Sequence, residues 1–250
     1  MLMDPLFAKL NLKTSCRALA DLLMPRLCIV CGRPLNLREE YICLGCDMDF
    51  PYTHFWGSTH HAMADEFNAR IVVPEGVRER YCYAAALFFY NSGSGYSNIP
   101  RQMKYNFRIA QGKTFARRLG EVLAQADHFK DVDAVVPVPL HWTRRWKRGY
   151  NQAEVIAAEV AGALGAPLRA DILSKPRRRA SQVASDARQR ASNISGAFKA
   201  NVPEGVRHIL IVDDTFTTGS TLAACYSALR ECVSGEVRIS VATLAFVKNN

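Results

Sequence analysis

The sequence predicts an α/β protein: a mostly parallel sheet with helices on both faces, preceded by a small cysteine-rich module. Three observations lead there. From about residue 80, apolar runs of strand length alternate with stretches of helical period. One of these runs, ILIVDDTFTTGSTL (209–222), is apolar for four residues, then meets two adjacent aspartates and a hydroxyl-rich turn. Four cysteines form two C-x2-C pairs near the N-terminus.

Taken in order, residues 15–24 have helical spacing at Leu19, Leu22 and Leu23, and Pro25 stops that helix. The cysteine segment spans 28–46. A polar, aromatic linker with His54, Trp56, His60 and His61 follows, so a soft boundary is expected between 50 and 80. The domains read as 1–60, a helix with the four-cysteine module, and 80–250, the α/β part. YAAALFFY (83–90) reads as a buried strand, and 112–126 as a helix with Phe115, Leu119, Val122 and Leu123 on one face. DAVVPVPL (133–140) is a strand ending in a proline turn, and 151–165 is a helix closed by glycine. Strands are expected at 166–173, 208–214 and 236–247, with a helix at 219–233. Residues 175–198 are long, basic and poor in apolar anchors, which suits a functional lid.

The chain has 250 residues and a formal charge of +9. Residues 141–200 hold twelve Lys/Arg against four Asp/Glu, a surplus of eight, and such a region attracts phosphates. No stretch approaches the ~18 apolar residues of a membrane span. Asp4, Pro5 and Lys9 interrupt what a signal peptide would need, so the expected compartment is the cytoplasm.

Ligands of an open parallel sheet bind beyond the carboxyl ends of its strands. Asp213 and Asp214 therefore emerge at the ligand edge, and 215–219 makes the turn into the next helix. Backbone N–H groups at a helix start favour an anion. Thr217, Thr218, Ser220 and Thr221 add hydroxyls, and Gly219 admits close approach. Two carboxylates do not bind phosphate, but they accept hydrogen bonds from vicinal hydroxyls or hold part of a Mg²⁺ shell. A ribose 5-phosphate satisfies both halves. The plainer explanation is a strand–turn–helix whose threonines cap the helix, which accounts for one or two hydroxyls but not four beside an acidic pair. Haloacid-dehalogenase spacing fails because Thr215 stands where the second acid belongs, and a P-loop fails for want of Gly-Lys-Ser/Thr.

Cys28, Cys31, Cys43 and Cys46 form two knuckles separated by eleven residues, a pattern for a closed structural Zn²⁺ site, with disulfide pairing or an iron–sulfur cluster as the alternatives and Gly32 and Gly45 supplying tight turns. His54, His60 and His61 fit a polar linker better than a ligand set. Cys16, Cys82, Cys225 and Cys232 show no metal spacing. After the 133–140 strand come Arg144, Arg145, Lys147 and Arg148, with Arg148 best placed for a diphosphate. Trp142 and Trp146 interleave with these cations as in base-stacking proteins, although packing against the sheet is the plainer use.

The 209–222 segment resembles the phosphoribosyl-pyrophosphate (PRPP) motif of type I phosphoribosyltransferases. Five ordered segments resemble the ComF family of bacterial competence proteins: the four-cysteine module, QMKYNFR, VPVPLHWTRRWKRGYNQAE, RRRASQVASDARQRASNISGAF and LIVDDTFTTGSTL. The resemblance implies a type I phosphoribosyltransferase-like fold behind a zinc finger and an association with DNA uptake or use. It places the 5-phosphate on Thr215, Thr217, Thr218, Gly219, Ser220 and Thr221, with Asp213 and Asp214 as the catalytic pair on the ribose. Arg148, Gln182 and Arg190 fall to the diphosphate and lid, Gly149, Asn151 and Gln152 lie in the Arg-Gly-aromatic-Asn-Gln segment, and Ser181 and Asn193 in later motif positions. Ser220 replaces a common alanine, and Thr215-Phe216 replaces more usual apolar residues. Three readings follow: a phosphoribosyltransferase using PRPP and Mg²⁺, a PRPP- or nucleotide-responsive module without turnover, and a protein that grips single-stranded DNA or meets DNA-uptake proteins. The ribose reading fails if salt bridges occupy both aspartates and side chains plug the turn.

Overall fold

A computed structural model of the chain describes residues 20–22, 24–105, 109–176 and 197–248. They form two compact units that do not follow chain order. One comprises the residues up to Phe50 together with Ser92–Ile99, and the other Pro51–Asn91 with Pro100–Asn250.

The larger unit is built on four parallel strands in the order β1-β6-β5-β2. These are β1 (Ala84–Tyr90), β2 (Ala134–Pro137), β5 (His208–Phe216) and β6 (Arg238–Val247). Strands buried on both faces read as continuous apolar runs, and residues 209–212 and 241–242 are fully buried. Ile209 and Ile211 pack with Leu222, Cys225, Tyr226 and Leu229 of helix α7 (Ser220–Arg230), and with Met63 and Phe67 of α2 (Ala62–Asn68). Side chains alternate along a strand, so Leu210 and Val212 face the other side. There α6 (Gln152–Leu164) packs on β2 and β5, and α4 (Ile109–Ala124) packs on α6. A Cβ on Gly120 would sit 2.6 Å from that of Ala163, so the α4–α6 approach requires glycine.

An antiparallel pair, β3 (Leu173–Ser174) with β4 (Lys199–Ala200), lies apart from the main sheet. The predicted 166–173 strand is therefore largely absent: Leu168 makes one isolated bridge to Val135, and only Leu173 enters a ladder. The reason is polar. Arg169 and Asp171 pair with each other at 2.7–2.9 Å and Asp171 faces solvent, while Ile172 and Leu173 at the end of the stretch are buried. In contrast, β5 runs two residues past Asp214, with Thr215 and Phe216 paired to Ala245 and Phe246. Phe216 is fully buried, 5.6 Å from the Phe246 ring, and this anchor shortens the predicted turn to 217–219. Residues 142–148, read as a basic turn, form helix α5 (Trp142–Arg148), with His141 accepting from the Thr143 N–H at 3.4 Å.

In the smaller unit, Cys43 precedes α1 (Leu44–Met48), and Gly32 adopts φ 75° in the first knuckle, a conformation that favours glycine. Gly45 is not a turn residue, because it lies inside α1. The returning segment closes on this knuckle: Asn98 donates to the Ile29 carbonyl at 3.1 Å and Tyr96 to that of Cys46 at 2.8 Å. Helix α3 (Asn98–Tyr105) leads from this segment into the larger unit. The 15–24 helix lies mostly outside the described residues, as does Cys16. Among the described residues, no helix is long and apolar enough to cross a membrane.

Candidate functional site: the carboxyl edge of the sheet and a four-thiol cluster

At the carboxyl ends of β2 and β5 lies a cavity of about 670 Å³. Asp213, Asp214, Arg144, Arg148, Gln152 and Lys175 are among its lining residues. A second niche of about 30 Å³, sharing Asp213 and Thr221 with the cavity, is enclosed by residues 215–222. The alternation of β5 sends its two acids to opposite sides of the edge. Asp213 belongs to both spaces, Asp214 to the cavity alone.

The two aspartates differ electrostatically. Asp214 pairs with Lys104 of α3 at 3.1 Å, and its side chain is only 15% exposed. Asp213 is half-buried, makes no ion pair among the described residues, and accepts the Asp214 N–H at 2.8 Å. Burial first, and the Asp214 charge second, push its carboxyl above the ordinary range, against the pull of Lys104 and Lys175. One aspartate is thus tied up and the other is not.

The turn is built for close approach. Gly219 has φ 69°, and a Cβ there would lie 2.6 Å from the Phe216 ring, so both backbone and space demand glycine. No side chain caps α7. The N-cap is Gly219 itself, which has no side chain to cap with, and the niche lies at this helix start. Thr218 and Ser220 share a hydroxyl–hydroxyl bond at 3.0 Å, and the Thr215 hydroxyl oxygen is buried with no partner among the described residues. Such an orphan costs free energy unless a ligand or water answers it.

Of the other predicted residues, Arg148 donates to Gln152 Oε1 at 3.0 Å. Gln152 is 2% exposed and lines the cavity, and its amide nitrogen has no partner. Asn151 is structural: it caps α6 through the Ala153 N–H and donates to the Val138 carbonyl. Gly149 ends α5 at φ 77°. Ser181, Gln182, Arg190, Asn193 and the expected lid at 177–190 lie outside the described residues. Sequence reasoning missed three cations. Lys104 and Lys175 line the cavity, and Arg70 donates to the Ser220 hydroxyl at 3.3 Å. QMKYNFR and KPRRR contained the first two, but nothing marked which basic residue would face the edge. The tryptophans do not pack on the sheet as expected: Trp142 is 48% exposed and Trp146 88%.

In the smaller unit, the sulfur atoms of Cys28, Cys31, Cys43 and Cys46 lie within 4.8 Å of one another, positioned to hold a metal ion. Cys31 and Cys43 sulfurs are 3.7 Å apart, against about 3.8 Å for the edge of a tetrahedron with 2.3 Å metal–sulfur bonds. Arg33 donates to Cys43 Sγ at 3.2 Å, and the Cys43 N–H to Cys28 Sγ at 3.4 Å, contacts that stabilise thiolates. The linker histidines are not in this cluster. His61 caps α2, bonds the Ala84 carbonyl at 3.0 Å and stacks on Phe55, while His60 pairs with Asp65.

The fold and its edge define a mostly parallel α/β protein carrying a four-cysteine cluster. The chain is similar to competence and DNA-utilization proteins, in line with the ComF resemblance read from five ordered segments. It is 26% identical over 221 residues to Competence protein F of Haemophilus influenzae, a match covering 85% of this chain and 94% of the relative. It is 33% identical over 130 residues to the DNA utilization protein YhgH of Salmonella typhi, covering 51% of this chain and 57% of the relative, so the match spans little more than half of that protein. Among solved structures, the allosteric regulatory enzyme of purine biosynthesis aligns at 25% identity with a TM-score of 0.36, covering 52% of this chain and 25% of that one. No protein-family model matches the chain.

Proposed function

We propose that the carboxyl edge of the sheet binds PRPP with Mg²⁺, or a related ribose 5-phosphate, in a ComF-type protein of DNA uptake or use. The observation that carries this reading is a helix start N-capped by a glycine at positive φ, with the buried Thr215 hydroxyl beside it lacking a partner among the described residues, directly after an acidic pair. The 5-phosphate takes the 217–221 turn, with Thr215 and Arg70 beside it. Asp213 and Asp214 accept the ribose hydroxyls. Lys104, Arg144, Arg148 and Lys175 answer the diphosphate, and Gln182 and Arg190 keep the lid role that the resemblance implies. Mg²⁺, bound with PRPP, supplies neutralisation of diphosphate charge, and the carboxylates are the groups that hold its water shell.

Transfer to an acceptor breaks the bond between ribose C1 and the diphosphate oxygen, which leaves with the electron pair. Preorganised cations favour that departure. The four thiolates hold zinc as a structural ion, and thiols kept reduced for such a site support a cytoplasmic location. The names of the relatives, competence and DNA utilization, support single-stranded DNA as a second ligand class.

The test is a thermal-shift titration with PRPP and Mg²⁺, paired with an assay of diphosphate release against candidate acceptors. Wild type is stabilised and the double variant Asp213→Asn, Asp214→Asn is not. Stabilisation without release in any acceptor screen assigns a responsive module. Absence of both overturns the reading.

A further inference from the structure

Gln152 is the first residue of α6 and part of the wall of the carboxyl-edge cavity, yet it is almost wholly buried. The direction of its amide follows from its neighbour. Arg148 donates to it through Nη1 at 3.0 Å, and a guanidinium has no acceptor, so the atom facing Arg148 is the amide oxygen. The nitrogen is thereby turned away from Arg148, and it has no hydrogen-bond partner among the described residues. The Tyr150 hydroxyl faces the same amide, with its own proton on the Met103 carbonyl. That one oxygen can take at most one of the two amide protons, because the two diverge. At least one buried N–H is therefore left over, and leaving it unmet costs free energy.

From this arrangement we infer that Gln152 is a specificity-determining donor, which tells a ribose phosphate bearing a C1 diphosphate from one without it. The inference deepens the ribose-phosphate reading and rests on it. With its oxygen taken by Arg148, the amide offers a ligand only N–H. It therefore matches groups that have lone pairs and no proton to give. Diphosphate oxygens meet that condition, whereas the N–H of an amine acceptor does not. The cavity cations attract any anion, but a neutral donor held in one direction rejects a ligand that leaves it unpaired. Gln152 lines the large cavity and is not among the residues of the small niche at 215–222. The two ends of the ligand are thus read separately, the 5-phosphate at the head of α7 and the diphosphate at the head of α6.

The test is calorimetric titration of the full-length protein, with Mg²⁺, against three probes: PRPP, inorganic diphosphate and ribose 5-phosphate. Gln152→Glu keeps the side-chain shape and an oxygen for Arg148, but exchanges the donor for a second acceptor. It is expected to weaken PRPP and diphosphate about a hundredfold, and ribose 5-phosphate by less than about threefold. Gln152→Met removes the donor without adding charge, and remains informative should the glutamate variant fail to fold. It is expected to weaken PRPP and diphosphate about tenfold and to spare ribose 5-phosphate. A merely structural role would move all three probes together, so equal losses in Gln152→Met overturn the inference. So does full retention of PRPP and diphosphate by that variant. Wild type that binds PRPP no tighter than ribose 5-phosphate overturns the inference alone. Wild type that binds neither sugar phosphate overturns the ribose-phosphate reading, and this inference with it.

Discussion

Strand β5 has a cavity at each end, and the two ends treat their polar groups in opposite ways. The cavity at the amino end, about 620 Å³, is nearly as large as that at the carboxyl end, about 670 Å³. Size therefore does not single out the ligand edge. At the amino end the groups answer one another. Buried His208 bonds Asp131 through Nδ1 at 3.0 Å and Ser240 through Nε2 at 2.9 Å. Asp133 accepts the N–H groups of Arg207 and His208, and Arg238 reaches both Asp131 and Glu79. At the carboxyl end, among the described residues, Thr215 and Gln152 keep buried polar atoms without partners, Asp213 lacks a counter-ion, and the helix N-cap is a glycine. The other two orphans, carbonyl oxygens of Gln102 and Gln111, lie on α3 and α4, and none lies at the His208 end. The difference teaches that incomplete pairing, rather than hollowness, distinguishes the end proposed to take a ligand.

The contrast can be broken from either side. The largest effect is expected from Gly219→Val, which meets a positive φ and the Phe216 ring together. It should abolish the thermal response to PRPP and cost ~1–3 kcal/mol of stability by denaturant unfolding. Next, His208→Ala strands the partners of a satisfied network and should cost ~1–3 kcal/mol by the same measurement. The response to PRPP should survive, because the amino end serves the fold alone. Burial, aided by the Arg238 charge, depresses the His208 pKa to about 4 from an ordinary 6.5. The folded state therefore binds fewer protons than the unfolded one between those values. Its contribution is complete above about 6.5 and lost as pH falls toward 4. A melting-temperature profile should drop more steeply across that window in wild type than in His208→Gln.

A smaller effect concerns Lys104. Lys104→Ala frees Asp214 and removes a cavity cation, and should weaken PRPP about tenfold in calorimetry with little change in melting temperature. The smallest is Thr215→Val. Removing an orphaned hydroxyl should leave stability unchanged or slightly raised, while ribose 5-phosphate binds a few-fold more weakly. A loss of stability in that variant would show the hydroxyl already satisfied and erase part of the contrast between the two ends.

The sheet was legible because its strands are buried on both faces and so read as uninterrupted apolar runs; the 209–212 run and the acids after it needed no tertiary information. The four thiols were legible through spacing alone, since two knuckles fix the geometry that a tetrahedral ion requires. What stayed hidden depends on long-range packing. That β5 continues to Phe216 follows from an aromatic cluster with Phe67 and Phe246, residues remote in sequence. That Lys104 and Arg70 face the carboxyl edge is set by where α3 and the turn after α2 lie in the fold. The tryptophans of α5 misled for a related reason: an aromatic residue beside a strand usually packs on it, and only the capped helix turns these two outward.

The central claim is that the unpaired edge is completed by a ribose phosphate. Isothermal titration calorimetry with ribose 5-phosphate alone, without diphosphate or acceptor, tests it most directly. The account predicts saturable binding in wild type that disappears in Asp213→Asn, Asp214→Asn and in Gly219→Val, and persists in His208→Gln. No heat of binding in wild type, or binding indifferent to the aspartate and glycine changes, would contradict it.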